Sequence, residues 1–384
     1  MDYSPSGGGG DEDPLQAAGE SLVEAYVRSE ELRQVPWLDL TRKVAFALAG
    51  GFTFILGIQL MQVSAAALIP TLTALFGSLV EAPHNALGFG WLVTYAVLSG
   101  SPIAALALGL FDALGRDFAL SAFFMMMGSR FGASFIVIVI GTIAILRGGG
   151  REESLSMGVL AFLVTYTIYL PALFLGFFLL DGNRLPWLVI NTPPAVIGII
   201  DLIFGPLRDG AAALLPPGAV FFLAFLALYA GFSLFDRAFH RQEVEEVEVT
   251  ALHRALEFPL FSFLLGAGIT LLSTSVSLSL GMLVPLYLKG YLRRRDVIPY
   301  IIGANITTFV DTLLVAFLLS NPDATYIVLL SMLSVGAVSV LVLIFYRWYS
   351  KALLWIFHWT FHNNRALLGF AVLLVAVPLA LVLV

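Results

Sequence analysis

The sequence contains no cysteine among its 384 residues. Disulfide bridges, thiolate metal sites and cysteine nucleophiles are therefore excluded, and no redox compartment can be inferred. Charged side chains are also scarce. Asp, Glu, Lys and Arg together make up 12% of the chain, against about 25% in soluble domains. Because a soluble fold of this length needs more polar surface than that, the composition favours a membrane protein.

The net charge of −6 has a single source at the N-terminus. Residues 1–35 hold eight acids and two bases, so the charges of the remaining chain cancel. Gly7–Gly10 is typical of a flexible linker, and we expect residues 1–35 to form an acidic, partly disordered cytoplasmic tail. The acidic start argues against a cleavable signal peptide. No nucleic-acid partner is expected.

Long apolar blocks recur along the chain. About 20 apolar residues cross a bilayer as a helix. The blocks, checked against the charges that flank them, predict an all-α polytopic membrane protein with seven crossings. We expect it in the cell inner (plasma) membrane, embedded in the lipid bilayer, and a homodimer is left open. The predicted crossings are Val44–Val80, Phe118–Leu146, Ser154–Leu180, Gly218–Phe235, Val297–Ser320, Ala324–Tyr346 and Ala366–Val384.

Four further apolar blocks are not counted as crossings. Leu87–Leu110 and Phe258–Leu288 are predicted to be re-entrant helical hairpins, each of which enters and leaves on one side. Leu185–Phe204 holds three prolines and Asp201, so we expect it to re-enter or to lie at the outer surface. Ala352–Asn364 carries aromatic anchors and is predicted to be an interfacial helix.

The two halves of the chain are predicted to contain the same succession of elements, a re-entrant hairpin followed by a transmembrane helix. The predicted division is an acidic tail (1–35), a first repeat (36–180), a linker with a re-entrant or surface helix (181–211), a second repeat (212–346), and an interfacial helix with a last transmembrane helix (347–384). Internal repeats of this kind are common in secondary transporters.

Charge predicts that the two repeats face opposite sides of the membrane. Arg42 and Lys43 place the N-terminal side in the cytoplasm. Lys289 and the Arg293–Arg295 run, the densest basic stretch, place the exit of the second hairpin there too. The matching stretch of the first half, Asp112–Asp117, has one base and two acids and suits the outside. The repeats are therefore predicted to have inverted topology.

A hydroxyl-rich triplet lies at the predicted tip of each hairpin. Ser99-Gly100-Ser101 follows Leu98, Ser273-Thr274-Ser275 follows Leu272, and we align the two triplets on these leucines. Tips of broken helices expose N–H groups that favour an anion, and hydroxyls add donors for an oxyanion and acceptors for a cation. The alternative is that these residues only allow close packing or bond to backbone carbonyls.

Two charged residues, Arg130 and Asp311, lie inside apolar blocks. An intramembrane charge is expensive and indicates a functional site by default. Arg130 is predicted to hold a guanidinium beside an anion or to replace a cation. Asp311 lies one turn after Thr308, so the two can bind a cation or a proton. The competing interpretation is a buried Arg130–Asp311 ion pair that locks the halves together. Gln59 and Gln62 are weaker candidates, since lone amides usually serve packing.

The second repeat resembles the type II sodium/phosphate cotransporter family. RRDVIPYIIGANITTFVDTLLVAF from Arg294 and LVPLYLKG from Leu283 carry the resemblance. That family has a Gln-Ser-Ser-Ser tip in each hairpin, followed by a G-[AS]-N-I-G-T-[ST] turn. The resemblance implies sodium-coupled uptake of an anion that binds between the tips. The matching residues are Ser273, Thr274, Ser275, Gly303, Ala304, Asn305, Ile306, Thr307 and Thr308.

The first repeat departs from this pattern. Leu98 and Leu272 stand where the family has glutamine, Gly100 replaces the middle serine, and Arg130 replaces the asparagine of the turn. The loss of two amide side chains removes ligands for the substrate. The predicted anion site comprises Ser99, Gly100, Ser101, Arg130, Ser273, Thr274 and Ser275. The predicted sodium site comprises Ser275, Asn305, Thr307, Thr308 and Asp311.

The sequence therefore predicts a cation-coupled symporter of a small, phosphate-like inorganic oxyanion, with Na⁺ as the coupling ion. The alternative is a channel or a non-transporting membrane protein that keeps the fold. An enzyme is not expected, because the chain has no H-E-x-x-H motif, no G-x-S-G serine site and no paired membrane aspartates of the G-x-G-D kind. It also has no P-loop, which argues against an ATP-driven pump.

Overall fold

Helices make up the regular structure of the described residues. The computed structural model describes residues 36–72, 74, 82–146, 148, 150–182, 184–239, 258–288 and 292–383, and no strand occurs within these ranges. The predicted acidic tail and Lys289 lie outside them. The helices, numbered in chain order, are α1 (Pro36–Ala67), α2 (Pro83–Val97), α3 (Ser101–Leu114), α4 (Ala119–Ala133), α5 (Phe135–Leu146), α6 (Arg151–Asp181), α7 (Pro194–Leu214), α8 (Pro217–Phe239), α9 (Pro259–Ser273), α10 (Val276–Gly281), α11 (Leu283–Leu288), α12 (Arg294–Thr307), α13 (Phe309–Leu318), α14 (Pro322–Ile344), α15 (Tyr346–His362) and α16 (Asn364–Leu383).

Seven helical segments in the described residues are long and apolar enough to cross a membrane, as the sequence predicted. Two of them combine a pair of helices, α4 with α5 and α12 with α13, which meet at Ser134 and Thr308. The exterior agrees with a lipid environment, because large apolar side chains such as Leu202, Phe222 and Trp348 are exposed. The segments are Leu40–Ala67, Arg116–Leu146, Ser154–Asp181, Pro217–Ala238, Arg294–Leu318, Pro322–Ile344 and Asn364–Leu383.

The two predicted hairpins are broken helices, and each breaks at its triplet. In the first half, α2 ends at Leu98, which adopts a left-handed backbone with φ 57°. In the second half, α9 ends at Thr274, whose φ is 53°. Left-handed residues other than glycine are uncommon, and one such residue ends a helix. A left-handed residue therefore interrupts both predicted hairpins.

One kind of glycine contact occurs in both halves of the chain. Gly128 in α4 lies against the carbonyl of Leu87 in α2, so a Cβ there would come within 2.1 Å of that oxygen. Gly303 in α12 lies against the carbonyl of Phe263 in α9 in the same way, at 2.0 Å. Only glycine permits so close an approach of two helices. The first helix of each hairpin thus packs on the helix that leads to the turn.

These matched positions correct the alignment of the tips. The structure pairs Leu98 with Thr274 as the left-handed residue that ends the first hairpin helix, so the alignment of Leu98 with Leu272 is wrong by two residues. Gly100 and Ser275 are then the matching N-terminal caps of α3 and α10. The first tip holds one more residue, Ser99, between these points. Both tips are rich in serine, so their sequences can be aligned in more than one register. The backbone conformation, and not the composition, defines where each tip lies.

The halves also pack across one another. The post-tip helix α3 contacts α13 of the second half, and α10 contacts α5 of the first half. Helices α6 and α14 pack together between them, and α1 packs on α8. The linker helix α7 packs on α1 and is not among the membrane-length apolar helices, while α16 packs on α2. This cross-packing brings the tips and turns of both halves to one region.

Candidate functional site

The two broken tips meet. Ser277, in the first turn of α10, donates a hydrogen bond from Oγ to the carbonyl oxygen of Leu98, and the distance is 3.1 Å. The donor and the acceptor are 179 residues apart in sequence. The sequence predicted this approach of the tips from the positions of the triplets, although it did not single out Ser277. The carbonyl of Leu98 is free to accept because the left-handed turn ends the helical ladder there.

The hydroxyls of the second triplet bond mainly to their own backbone. Ser275 is the N-cap of α10, and its Oγ accepts from the N–H of Leu278 at 3.2 Å. Thr274 donates to the carbonyl of Ser273 at 2.7 Å. Ser273 is buried, and its Oγ lies 3.4 Å from the N–H of Ser275. These bonds agree with the packing interpretation, yet each hydroxyl has further hydrogen-bonding capacity.

The first triplet has a steric reason for its glycine. Gly100 is buried against α4, and a Cβ there would lie 2.8 Å from the carbonyl oxygen of Ser129. A serine at this position would clash with the backbone of α4. Ser101 is also buried, whereas Ser99 is half-buried. The glycine at position 100 therefore follows from close packing of the first tip on α4.

The buried ion pair is the strongest polar feature of this region. Arg130 Nη2 lies 3.0 Å from Asp311 Oδ1, and the two side chains are 1% and 2% exposed. Arg130 Nη1 donates to Thr308 Oγ1 at 3.0 Å. Nη2 also donates to Thr312 Oγ1. The guanidinium carbon lies 5.0 Å from the ring centroid of Phe309, a cation–π distance.

The Arg130 guanidinium therefore binds side-chain oxygens that were predicted from the sequence to bind a free cation. Thr308 and Asp311 were predicted sodium ligands, and both contact the guanidinium instead. The first half supplies the positive charge and the second half supplies the ligands, so the pair joins the two halves of the chain. This geometry is the one that the ion-pair interpretation describes. It also agrees with a tethered cation that replaces a free one.

The remaining turn residues lie beside the ion pair. The carbonyl of Asn305 accepts from the hydroxyl of Tyr169 at 2.7 Å, and Asn305 Nδ2 donates to Thr165 Oγ1 at 3.3 Å. The hydroxyls of Thr165 and Ser134 are 2.8 Å apart. Thr307 instead bonds back to the carbonyl of Gly303 at 3.2 Å and takes no part in this network.

Two atoms of the ion pair lack hydrogen-bond partners. Arg130 Nε and Asp311 Oδ2 are both buried, and neither makes a hydrogen bond to the described residues. A buried donor or acceptor without a partner costs about 1–3 kcal/mol. Such atoms in a native site suit a water molecule or a bound ion. Asp311 thus keeps one oxygen for a ligand after the guanidinium has taken the other.

Sequence reasoning missed four members of the network, Ser134, Thr165, Tyr169 and Thr312. Thr165 and Tyr169 are four residues apart on α6 and so share one helix face. This spacing could have been recognised in the sequence. Thr312 follows Asp311 directly and lies one turn after Thr308. Within the described residues, no group of three or more His, Cys, Asp or Glu side chains could hold a metal ion.

A comparison with protein-family models finds one similarity, in the second half of the chain. Residues 228–380 match the model described as Na+/Pi-cotransporter. The match covers less than half of the chain and shows that this part is similar to the Na⁺/Pi cotransporter family. It confirms the resemblance in the second repeat and includes both the Ser273 triplet and Asp311. It does not extend to Arg130 or the first triplet, where the cotransporter motifs are degraded. No curated protein and no solved structure gave a significant match.

Proposed function

We propose that this protein is a secondary active transporter that couples cation entry to symport of a phosphate-like inorganic oxyanion. The contact between the two tips, Ser277 Oγ to the Leu98 carbonyl, is the observation that supports this most directly. It joins two broken helices from matching halves, which is the arrangement in which transporters bind substrate. The family match supports sodium as the coupling ion and phosphate chemistry for the substrate.

The inverted arrangement of the repeats is part of this proposal, and contacts at the two ends of α14 support it. Arg116, at the exit of the first hairpin, pairs with Asp323 in the first turn of α14 at 2.8 Å. Tyr346, just after the last turn of α14, donates to the carbonyl of Arg295 at the exit of the second hairpin, at 2.6 Å. A helix of 23 residues is about 34 Å long. The hairpin exits therefore lie a bilayer thickness apart.

This geometry supports re-entrant hairpins that open to opposite sides. By the positive-inside rule, the Arg293–Arg295 end faces the cytoplasm and the Arg116 end faces outside. Four membrane-length segments precede the second hairpin. This even number of crossings places the N-terminus on the same side as the hairpin exit, in the cytoplasm. The plasma membrane is the location that suits uptake of an inorganic anion.

The proposed anion site lies between the tips. It comprises the Ser99-Gly100-Ser101 and Ser273-Thr274-Ser275 triplets. Serine hydroxyls and N–H groups of the helix starts after each tip are the donors that an oxyanion needs. Ser275 Oγ accepts a cap bond, so its own proton can be donated to the anion. Coupling requires a cation beside this site, and the buried Asp311 Oδ2 makes no hydrogen bond to the described residues.

Arg130 is proposed to act as the fixed cation of the first half. Its charge lies where a free cation would meet Thr308 and Asp311. A fixed positive charge repels a second cation at short range. The protein should therefore bind fewer sodium ions than a family member with asparagine at this position, and one ion is our expectation.

Uptake of radioactive phosphate into proteoliposomes tests the proposal. We expect accumulation that depends on an inward sodium gradient and that arsenate, another tetrahedral oxyanion, inhibits. The competing function is a channel or a non-transporting protein, and the interlocked ion pair between the halves favours it. A channel would give an anion conductance that no sodium gradient drives uphill, and a non-transporting protein would give neither signal.

A further inference from the structure

A basic cavity lies at the start of α12, away from the tips. Its volume is about 440 Å³. It is lined by Arg293 and Arg295 at the start of α12, by Tyr346 and Arg347 at the corner between α14 and α15, and by Pro259 at the start of α9. Arg295 and Asn305 are ten residues apart on one helix, which is about 15 Å. The cavity is therefore separate from the turn beside the ion pair.

The charge of the cavity suits a phosphate group. Three arginines line it, and Asp296 is the one acid among its lining residues. The guanidinium is planar and binds phosphate through two parallel hydrogen bonds, which makes arginine the preferred residue for this ligand. Arg293 is also the N-cap residue of α12. The positive end of the helix dipole adds to the arginines there.

A hydrogen bond fixes the two arginine-bearing elements relative to each other. The Tyr346 hydroxyl donates to the carbonyl of Arg295 at 2.6 Å and so ties the α14–α15 corner to the start of α12. Burial raises the pKa of Tyr346 to about 12, so the hydroxyl keeps its proton at physiological pH. Arg347 therefore stays beside Arg293 and Arg295, although 52 residues separate it in sequence from Arg295.

The surroundings of the cavity are those of a membrane interface. Phe258, Phe345 and Trp348 flank it in sequence and are 68%, 55% and 80% exposed. Aromatic side chains of this kind collect at the level of the lipid headgroups. The arginine run is predicted to be cytoplasmic, and the cytoplasmic leaflet carries the anionic lipids that attract basic residues.

We infer that this cavity binds a phosphate group at the cytoplasmic surface, presented either by an anionic phospholipid headgroup or by soluble phosphate. The inference does not depend on transport, because it rests on the cavity and its arginines alone. It assigns these arginines a ligand in addition to their role in orienting the protein.

Binding to the purified full-length protein in neutral detergent tests this inference. The probes are short-chain phosphatidylglycerol, phosphatidylcholine as the zwitterionic control, and inorganic phosphate, each titrated by thermophoresis. The test variant is the Arg295→Gln/Arg347→Gln pair. The matched control is Arg237→Gln, an exposed arginine in the last turn of α8 that does not line the cavity.

We expect the double variant to bind an anionic probe at least about tenfold more weakly than the parent. Hydrogen bonds between charged groups are stronger than those between neutral groups. The control should bind as the parent does. Weaker binding of phosphatidylglycerol alone identifies the headgroup as the ligand, and weaker binding of phosphate alone identifies the soluble anion. Equal loss for both shows a site that takes the phosphate group from either source. Unchanged binding of both probes would overturn the inference. Arg347→Gln alone, at an exposed position, repeats the test if the double variant does not fold.

Discussion

Arg130 of the first half and Asp311 of the second half form an ion pair of 3.0 Å with almost no solvent exposure. The pair connects α4 to α13, which belong to different halves of the chain. If the two halves move relative to each other, this contact must break and form again, unless α4 and α13 move together. The pair is therefore the point at which a locked structural protein and a working transporter make different predictions.

Removal of one partner should be more harmful than removal of both. Arg130→Ala or Asp311→Ala leaves a buried charge alone, and we expect a loss of about 3–5 kcal/mol in the free energy of unfolding. The neutral double variant should recover most of that loss. Thermal unfolding in detergent measures all three. Recovery of stability in the double variant with transport intact would remove both residues from the proposed site.

Two substitutions of Arg130 distinguish the role of its charge from the role of its shape. Lysine keeps the positive charge, and asparagine is the residue of the family motif. Arg130→Lys should restore transport only in part, because an ammonium group cannot hold Thr308 and Asp311 through a planar fork. Arg130→Asn should raise the sodium dependence of uptake or weaken anion binding. Uptake measured at several sodium concentrations decides this. A Lys variant with full activity and an unchanged sodium dependence in the Asn variant would contradict the tethered-cation role.

The sequence predicted the helical class, the seven membrane-length segments and the position of both breaks. Those features depend on long apolar runs and small polar residues, which are local signals. It did not fix the register of the tips, because Leu98 matches Thr274 through backbone conformation rather than residue type. It also could not choose between the roles of Arg130, since that choice depends on contacts between residues 181 apart.

The Ser275 hydroxyl should contribute to anion binding as well as to the helix cap. Ser275→Ala removes the cap at α10 and one donor at the tip, and we expect about a tenfold loss of affinity if the hydroxyl contacts a charged ligand. The matched control is Ser331→Ala, which removes a buried serine that bonds to the carbonyl of Ile327. Both variants should melt within a few degrees of the parent. A lower melting temperature of Ser275→Ala with unchanged affinity would support a packing role alone.

Gly100 should tolerate no side chain. A Cβ at this position would lie 2.8 Å from the Ser129 carbonyl oxygen, so Gly100→Ala should cost about 1–3 kcal/mol by overpacking. Gly198→Ala is the control, because no atom lies within 4 Å of the added Cβ in α7. That substitution should be neutral or slightly stabilising. Equal melting temperatures for the two variants would show that the first tip is not packed on α4 as described.

The opposite orientation of the hairpins has a direct chemical test, because the chain has no native cysteine to react in the background. Single cysteines at Arg116 and Arg293 should react with a membrane-impermeant maleimide from opposite sides of sealed vesicles. Both positions are exposed, and α14 separates the two hairpin exits by about 34 Å. Arg116→Cys should be labelled from outside and Arg293→Cys only after permeabilisation. A third variant, Ser334→Cys, serves as the unreactive control, because that serine is buried within α14. Labelling of Arg116→Cys and Arg293→Cys from the same side would refute inverted repeats, and with them the proposed transport geometry.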